Sequence, residues 1–355
     1  MTPGRVARSA APGRICLAGE SLDWMVGGPS VVAAIDRRTR VSAHLVDTCA
    51  GLTIRSGPPV NVTRHITASA LGRLAGDALD HVQAVAYQAG QLTGRDPMGE
   101  LHISSELPVA AGVSSSASVT SAVAAALLVA AGIEPSPRAV ARLARAGEWL
   151  TGSGAGWMDF LAVAHGGVNL VEASEPPSVR LLTSRLNTSI VLVDTLVRRA
   201  TRDRLLDKRR RWTRADPDLF AYVDAATGLV DRIAAALLPV PPDPVEIGAA
   251  VTEAHVLLAR KMRCSTPLID ACVEACIGVG ADGAKLTGSG HGGCLFALVA
   301  PERVGRVLAA LASLPVRTVV LDGADTAGVQ VTRDAHDDSE DREGSTSEGW
   351  QTWAS

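Results

Sequence analysis

The pattern of apolar and polar positions along the chain predicts a mixture of strands and helices. Residues 101–107 (LHISSEL) alternate polar and apolar side chains, as a strand with one buried face does. Residues 116–132 are small and apolar, which indicates a buried helix, and Ser136-Pro137 is a typical start for a second helix at 136–150. Further short strands are predicted at residues 14–18, 41–46, 166–171 and 189–194.

The order of these segments favours an α+β fold with two domains. A strongly basic segment at 198–214 is predicted to be helical, and residues 283–299 predict a strand, a Gly-rich turn and a second strand. No regular βαβ repetition occurs, which argues against a doubly wound sheet. EPPS interrupts the pattern between the two parts. The predicted units are residues 1–185, residues 186–333 and an acidic, Ser-rich tail at 334–355 that we expect to be disordered.

Composition and charge exclude several classes of protein. The 355 residues are 47% hydrophobic and 20% charged, which is typical of a globular protein with a substantial core. A net charge of −3 argues against nucleic acid or anionic lipid as partner, and no uninterrupted apolar stretch is long enough to span a membrane. The N-terminus lacks the apolar region of a secretory signal, and six cysteines without a CxxC pair suit a reducing cytoplasm. We expect a monomer or a homodimer.

The first segment with chemical potential is PVAAGVSSSAS at residues 108–118, here named the Gly-Ser loop. It lies between a predicted strand and a long apolar helix. A helix N-terminus exposes unpaired N–H groups and partial positive charge, and small residues let the backbone close around a phosphate. The loop has no GK[ST] and is not a Walker A sequence. The alternative is an ordinary Ser N-cap beside a glycine turn.

A second segment, GEWLTGSGAGWMDF, holds two carboxylates on either side of a Gly-rich turn. Glu148 ends a predicted helix, and Asp159 lies in apolar company. The two can converge on one site, where one would hold a metal and the other would accept a hydroxyl proton. The alternative is that Asp159 only caps the helix that follows.

Two further segments complete the candidate chemistry. KLTGSGHGGC places the glycine turn, defined as residues 288–293, between two strands, where it is either a hairpin or a close approach to a nucleotide. APGRICLAGESLDWMVGG places Arg14, Glu20 and Asp23 near the end of a first strand, and carboxylates there can accept hydrogen bonds from a polyol. The basic segment 198–214 is interpreted by default as a solvated helix face.

These segments, in this order, resemble the GHMP kinase superfamily of galactokinase, homoserine, mevalonate and phosphomevalonate kinases. The resemblance covers about residues 10–330 and is strongest toward galactokinase-like sugar kinases. Galactokinases begin with a PGRVNLIGEHTDYNGG-like stretch, carry a PLGAGLSSSAS-like phosphate loop, and end in a GARMTGGGFGGC-like turn. It implies a domain like ribosomal protein S5 domain 2, followed by a ferredoxin-like domain, with the site in the cleft between them.

The resemblance also implies roles for individual residues, with ATP and Mg²⁺ as the cofactors. Asp159 matches the catalytic Asp, and Arg14 matches the basic residue that would keep it ionised. Ser116 and Glu148 match the magnesium ligands, with Ser115 as the near alternative to Ser116. The ATP-binding positions are Pro108, Ala111, Gly112, Val113, Ser114, Ser115, Ser116, Ala117, Ser118, Gly288, Ser289 and Gly290. The substrate-binding positions are Glu20, Ser21, Asp23, Trp24, Gly156 and Asp159.

The predicted function is ATP-dependent phosphorylation of a sugar hydroxyl, most simply the anomeric one. Ser21, Trp24 and Phe160 replace the His, Tyr and Gln of galactokinases, which disfavours galactose itself and suits a modified sugar. A kinase for a non-sugar alcohol such as mevalonate or homoserine is the first alternative. Glu20 and Asp23 argue against it, because two carboxylates repel an anionic acceptor. A non-catalytic sugar and ATP sensor is the second alternative.

Overall fold

The computed structural model describes residues 5–46, 49–198, 201–321 and 327–333. The predicted disordered tail at 334–355 lies outside these ranges. The strands in the described ranges are β1 (Arg5–Ala18), β2 (Pro29–Leu45), β3 (Gly51–Ser56), β4 (Val62–Thr67), β5 (Gly99–Ser105), β6 (Val168–Glu172), β7 (Ser178–Thr183), β8 (Ser189–Asp194), β9 (Gly283–Leu286), β10 (Cys294–Val299), β11 (Arg317–Leu321) and β12 (Gln330–Arg333).

The helices of the same ranges connect these strands and cover the sheets. They are α1 (Leu22–Val26), α2 (Asp80–Thr93), α3 (Ser115–Ala130), α4 (Pro137–Leu150), α5 (Met158–His165), α6 (Thr201–Thr213), α7 (Pro217–Ala236), α8 (Pro244–Arg260), α9 (Pro267–Gly278) and α10 (Val304–Leu311), with short 3₁₀ turns at Ala68–Ala70 and Pro301–Arg303. Of the described helices, none combines the length and the apolar character that crossing a bilayer requires.

A large sheet holds the N-terminal half of the chain. Its strand order is β12-β1-β2-β5-β3-β4, and β6 pairs with β2 and with β7. The pair β3 and β5 is parallel, and the other pairs are antiparallel. Helix α3 packs on β1 and β2 and also touches α2, α4 and α5. Because it is enclosed on several sides, α3 is apolar around most of its circumference, as its sequence predicts.

A smaller antiparallel sheet has the order β11-β8-β10-β9. Its strands β8 and β10 are buried along their whole length, and they are runs of apolar residues except for Ser189 and Asp194 at the two ends of β8. The two-domain α+β architecture predicted from the sequence is therefore confirmed. The domain boundary stays a prediction: β7 lies in the large sheet, β8 in the small one, and β12 pairs with β1 although the sequence assigns it to the second unit.

One hydrophobic cluster joins the two sheets. Ile15 and Leu17 of β1 lie in the same cluster as Phe296 of β10 and Ile233 of α7. At about 25 cal/mol per Å² of buried apolar surface, such a shared core opposes separation of the two parts. The C-terminal end of β1 is thereby held at the junction, which is where Arg14 and Glu20 lie.

Candidate active site

The Gly-Ser loop is held against the end of β1 by a glycine of that strand. The backbone N–H of Arg14 donates to the carbonyl of Val113 at 3.1 Å. A Cβ on Gly13 would lie 2.6 Å from Leu107 Cδ2 and 2.9 Å from the Val113 oxygen, so only glycine allows this approach. The loop therefore cannot move away from β1 without breaking this contact.

The Gly-Ser loop also packs against the glycine turn of the smaller sheet. Gly112 has φ +84°, and a Cβ on it would clash with the carbonyl oxygen of Thr287. A Cβ on Gly288 would lie 2.6 Å from the Cα of Gly112, and the N–H of Cys294 donates to the Ala111 carbonyl at 2.7 Å. Two segments that are far apart in the sequence thus form one continuous backbone surface.

The N-terminus of α3 opens into the cleft between the sheets. Ser114 precedes it with φ 59° and makes no side-chain capping bond, so the first amides of α3 are not capped by Ser114. The Ser114 hydroxyl is buried and has no hydrogen-bond partner among the described residues. Ser115 and Ser116 line the same cleft. Unpaired amides, a helix dipole and a free buried hydroxyl together suit an anion such as phosphate.

Several predicted ATP-binding residues do not face the cleft. Ser118 is fully buried, and its hydroxyl donates to the Ala11 carbonyl at 2.9 Å and shares a hydrogen bond with Thr39 Oγ1 at 3.0 Å. It therefore joins α3 to the sheet and does not face the cleft. Gly290 packs against Cys264. The other predicted positions absent from the cleft wall are Pro108, Ala111, Val113 and Ala117, whereas Gly112, Gly288 and Ser289 line it. The residues that do not line the cleft contribute to the packing of the Gly-Ser loop and the glycine turn.

Arg14 and Asp159 form the central ion pair of the cleft. Asp159 lies in the first turn of α5, and its Oδ1 accepts from Arg14 Nε at 2.8 Å and lies 2.7 Å from Nη2. Arg14 Nη1 donates to the Gly112 carbonyl at 2.6 Å. The Arg14 side chain is 3% exposed and that of Asp159 is 31% exposed. The guanidinium is therefore fixed, while the carboxylate remains accessible from the cleft.

Glu148 and Ser116 form a second polar pair beside the N-terminus of α3. Ser116 Oγ donates to Glu148 Oε1 at 3.2 Å. Burial, followed by the negative charge of Asp159, raises the pKa of Glu148 to about 8. Its second oxygen, Oε2, is buried without a hydrogen-bond partner within the described ranges. A divalent cation would compensate this carboxylate, and hard oxygen donors of this kind suit Mg²⁺.

Asp23 also lines the cleft and lies near Asp159. It accepts from the N–H of Trp24 at 2.9 Å and from the N–H of Met158 at 3.4 Å. Burial and the charge of Asp159 raise its pKa to about 6. A Cβ on Gly156 would overlap the Asp23 carboxylate, so this glycine creates the space that Asp23 occupies. Ser21, Trp24 and Gly156 line the cleft beside it.

Glu20 forms an ion pair with a buried lysine, Lys285, which was not predicted from the sequence. Lys285 of β9 is fully buried, its ammonium contacts Glu20 Oε1, and it donates to the Cys16 carbonyl at 2.8 Å. The Tyr222 hydroxyl donates to the Glu20 carbonyl at 2.7 Å. The predicted role of Glu20 as a sugar ligand therefore rests on Oε2 alone. A single lysine in an otherwise apolar strand was the available signal, because a buried charge needs a partner.

Helix α6 was wrongly interpreted as a wholly solvated basic face. Lys208 is 2% exposed, donates to the Ser289 carbonyl at 3.0 Å and lines the cleft. Arg209 donates to the Gly154 carbonyl at 2.6 Å, and its guanidinium carbon lies 5.5 Å from the centroid of the Trp24 ring. Two cations of α6 thus reach Ser289 and Trp24 at the cleft, a placement that charge pattern alone cannot predict.

The cleft as a whole has a volume of about 530 Å³ and receives residues from both parts of the chain. Residues 58–60 and 76–82 also line it. No group of three or more His, Cys, Asp and Glu side chains suited to a metal occurs in the ranges described. A cation here would have to take its remaining ligands from substrate or water.

Comparison with known proteins gives the same assignment from two separate parts of the chain. Residues 69–167 match the GHMP kinases N terminal domain, and residues 233–316 match the GHMP kinases C terminal model. The mevalonate kinase of Thermococcus sibiricus is 26% identical over 317 residues, covering 85% of this chain and 92% of that protein. A galactokinase of Mycobacterium bovis is 28% identical over 364 residues, covering 91% of this chain and 96% of that protein.

The fold has the same relatives. The structure of Lactococcus lactis galactokinase in complex with galactose superposes with a TM-score of 0.76 at 21% identity, covering 92% of this chain and 95% of that one. The two domain models match in the expected order: residues 69–167 include β5 of the large sheet, and residues 233–316 include β9 and β10 of the small one. This chain therefore belongs to the GHMP kinase family, whose members are phosphotransferases with an alcohol group as acceptor.

Proposed function

We propose that this protein transfers the γ-phosphoryl group of ATP to a sugar hydroxyl, the anomeric one, and so forms a sugar 1-phosphate. The observation that carries the proposal is the convergence of three features on one cleft. They are the uncapped N-terminus of α3, the Ser116–Glu148 pair and the Arg14–Asp159 pair. The first suits the phosphates, the second a cation and the third the attacking hydroxyl.

The residues present fit both ATP and Mg²⁺. The Gly112–Gly288 contact forms a backbone surface on which a side chain would leave no room, next to the buried Ser114 hydroxyl. Ser116 and Glu148 would hold Mg²⁺, which supplies charge neutralisation at the phosphates when it is bound. The adenosine moiety would extend toward residues 58–60 and 76–82.

The six cysteines are free thiols, which supports a reducing, cytoplasmic setting for the reaction.

Proton transfer in this reaction falls to Asp159. The acceptor oxygen forms a bond to the γ-phosphorus, the bond from that phosphorus to the β,γ-bridging oxygen breaks, and ADP leaves. The acceptor proton passes to the Asp159 carboxylate, because Arg14 engages Oδ1 and leaves Oδ2 to the cleft. Arg14 also places a fixed positive charge beside the transferring group, which lowers the barrier without reorganisation.

The acceptor wall favours a polyol. Asp23 and Asp159 present two carboxylates that can accept hydrogen bonds from neighbouring hydroxyls, and Trp24 adds an apolar surface beside them. One part of the sequence argument for a sugar is weaker than expected. Lys285 neutralises Glu20, so only Asp23 is left to disfavour an anionic acceptor.

A hydroxy-acid acceptor of the mevalonate kind is the second candidate. Lys208 lines the cleft and could pair with a carboxylate of the acceptor. The relatives include mevalonate kinases as well as galactokinases at similar identity. Under this candidate, Lys208→Met raises the KM of the acceptor, whereas under the sugar proposal the KM of the acceptor is unchanged.

A substrate screen with a catalytic variant tests the proposal. ADP release is measured with ATP, Mg²⁺ and separate panels of free sugars and hydroxy acids. We expect the largest rate with a sugar, a sugar 1-phosphate as product, and a loss of about 10²–10⁴-fold in kcat for Asp159→Asn. Asp224→Asn, on an exposed part of α7, is the matched control. No acceptor-dependent ADP release from either panel would support the sensor alternative and overturn the proposal.

A further inference from the structure

The face of the large sheet opposite α3 carries an open, basic groove. Its volume is about 620 Å³, and it crosses β12, β1, β2, β5 and β3. On β1, Ser9 points to α3, where its hydroxyl donates to the Ala122 carbonyl at 2.7 Å, whereas the next residue back, Arg8, is exposed and lines the groove. The side chains of cationic type along it are Arg8, Arg40, Arg55 and His102.

Glu106 lies near Arg40, and Glu100 lies near both Arg55 and His102, whose Nε2 is 2.9 Å from Glu100 Oε2. Arg40 lies 3.4 Å from Glu106, and Arg55 lies 3.5 Å from Glu100. The Arg40 side chain is 47% exposed and that of Arg55 is 46% exposed. Exposed pairs of this kind contribute little and exchange partners readily. The groove can therefore accept further negative charge.

The chain itself supplies that charge at the edge of the groove. Gln330 and Thr332 of β12 line it, and residues 334–355 follow β12 directly. Those 22 residues hold seven of the 37 Asp and Glu residues but only one of the 34 Lys and Arg residues. Their net charge is −6, and that of residues 1–333 is +3, so the two parts are electrostatically complementary.

The geometry of the connection also fits. Thr332 is in register with Arg8 and Arg333 with Ala7, so the tail leaves the edge strand β12 two residues beyond the position opposite Arg8. Four strand spacings of about 4.8 Å separate β12 from β3, or about 19 Å across the sheet. An extended chain advances about 3.3 Å per residue, so the acidic run up to Glu343 can reach every cation of the groove.

We propose that the acidic segment 334–343 binds in the basic groove of its own chain, across β12, β1, β2, β5 and β3. The tether keeps the segment at a high effective concentration, so a few exposed ion pairs suffice for binding. The interaction covers a sheet face that would otherwise attract other polyanions. It is independent of the phosphoryl-transfer proposal, because none of the groove cations belongs to the catalytic cleft.

Limited trypsinolysis of the full chain tests this, with cleavage after Arg342 followed by mass spectrometry. A synthetic peptide of residues 330–355 gives the cleavage rate of the free segment. At low salt we expect cleavage in the full chain to be about tenfold slower than in the peptide, with the difference lost in about 0.5 M NaCl. The double variant Arg40→Gln/Arg55→Gln should approach the rate of the peptide, and Arg306→Gln, on an exposed part of α10, should not.

Other outcomes would contradict the proposal. Equal rates in the full chain and the peptide at low salt would show that the tail is not bound. Protection that survives in Arg40→Gln/Arg55→Gln would place the tail on another surface. Protection that grows with protein concentration would place it on a second copy. Thermal unfolding of the double variant should match that of the parent, since both arginine side chains are exposed.

Discussion

Arg14 directs two nitrogens at the same oxygen of Asp159, Nε at 2.8 Å and Nη2 at 2.7 Å from Oδ1. The two residues are 145 positions apart and belong to β1 and α5. Arg14 Nη1 simultaneously binds the Gly112 carbonyl of the Gly-Ser loop at 2.6 Å. One guanidinium therefore fixes the distance between the proposed base and the proposed phosphate site.

Replacing Arg14 by lysine should show whether this geometry matters beyond the charge. Lysine keeps one positive charge but cannot bind Asp159 and Gly112 together through a planar fork. We expect kcat to fall about 10²–10³-fold, with a smaller change in the KM for ATP. Steady-state kinetics with the best acceptor would measure both constants. A variant with near-parental kcat would show that charge alone is required.

The pH dependence of stability should show the effect of burying the carboxylate of Glu148. Its pKa rises from 4.5 to about 8 on folding, so the folded state binds one more proton than the unfolded state between these values. Without Mg²⁺, the free energy of unfolding should therefore decrease as the pH rises from about 4.5 to about 8. Asp23, whose pKa is raised to about 6, adds a slope of the same sign below that pH. Glu148→Gln should therefore remove the slope between about pH 6 and about pH 8, and should stabilise the metal-free protein near pH 8 by an amount on the order of a few kcal/mol.

Urea unfolding in EDTA at about pH 6.5 and about pH 8 measures the part of the slope that belongs to Glu148. Glu134→Gln, on an exposed turn before α4, is the matched control and should retain the parental slope. Mg²⁺ with an ATP analogue should stabilise the parent but much less the Glu148→Gln variant. The same slope in the parent and in Glu148→Gln would show that another group titrates.

Glu20 and Asp23 should separate into a structural and an acceptor-binding role. Glu20→Gln leaves the fully buried Lys285 without a carboxylate, so we expect a destabilisation of about 3–5 kcal/mol, partly recovered by adding Lys285→Met. Asp23→Asn should instead raise the KM of the acceptor about 10–100-fold with little loss of stability. Unfolding curves and acceptor kinetics on the same preparations distinguish the two. An equal effect of both variants on the KM would place Glu20 among the acceptor ligands.

The contact between Gly112 and Gly288 should be essential for forming the ATP site. Gly288 has φ +79°, and a Cβ on it would lie 2.6 Å from Gly112 Cα, so Gly288→Ala should reduce both stability and ATP affinity. Gly228 lies inside α7 with open space around it, and Gly228→Ala should stabilise the protein by about 0.5–1 kcal/mol. Differential scanning calorimetry and ATP titration measure the contrast. We expect Gly288→Ala to lower the unfolding temperature and Gly228→Ala to raise it.

Local features of the site could be predicted from the sequence because they depend on neighbouring residues. A strand, a Gly-rich loop and an apolar helix follow one another at residues 99–130, and the pattern of apolar and polar residues within the segment is enough to predict each of them. The Ser136-Pro137 helix start was also correct, since Ser136 Oγ accepts from the N–H of Ala139. The short strands β3, β4, β7, β11 and β12 were missed, because few residues support each pattern.

The pairing of distant residues was decided only by the tertiary structure. The sequence identified Arg14, Glu148 and Asp159 as candidate site residues, and the resemblance to a family suggested their roles. Packing of the two sheets decided that Lys285 neutralises Glu20, that Lys208 of a basic helix is buried in the cleft, and that Ser118 points away from it. Burial removes water from these groups and makes each require a particular partner. Glu20 and Lys285 are 265 positions apart in the sequence, and no local pattern can encode a pairing over that separation.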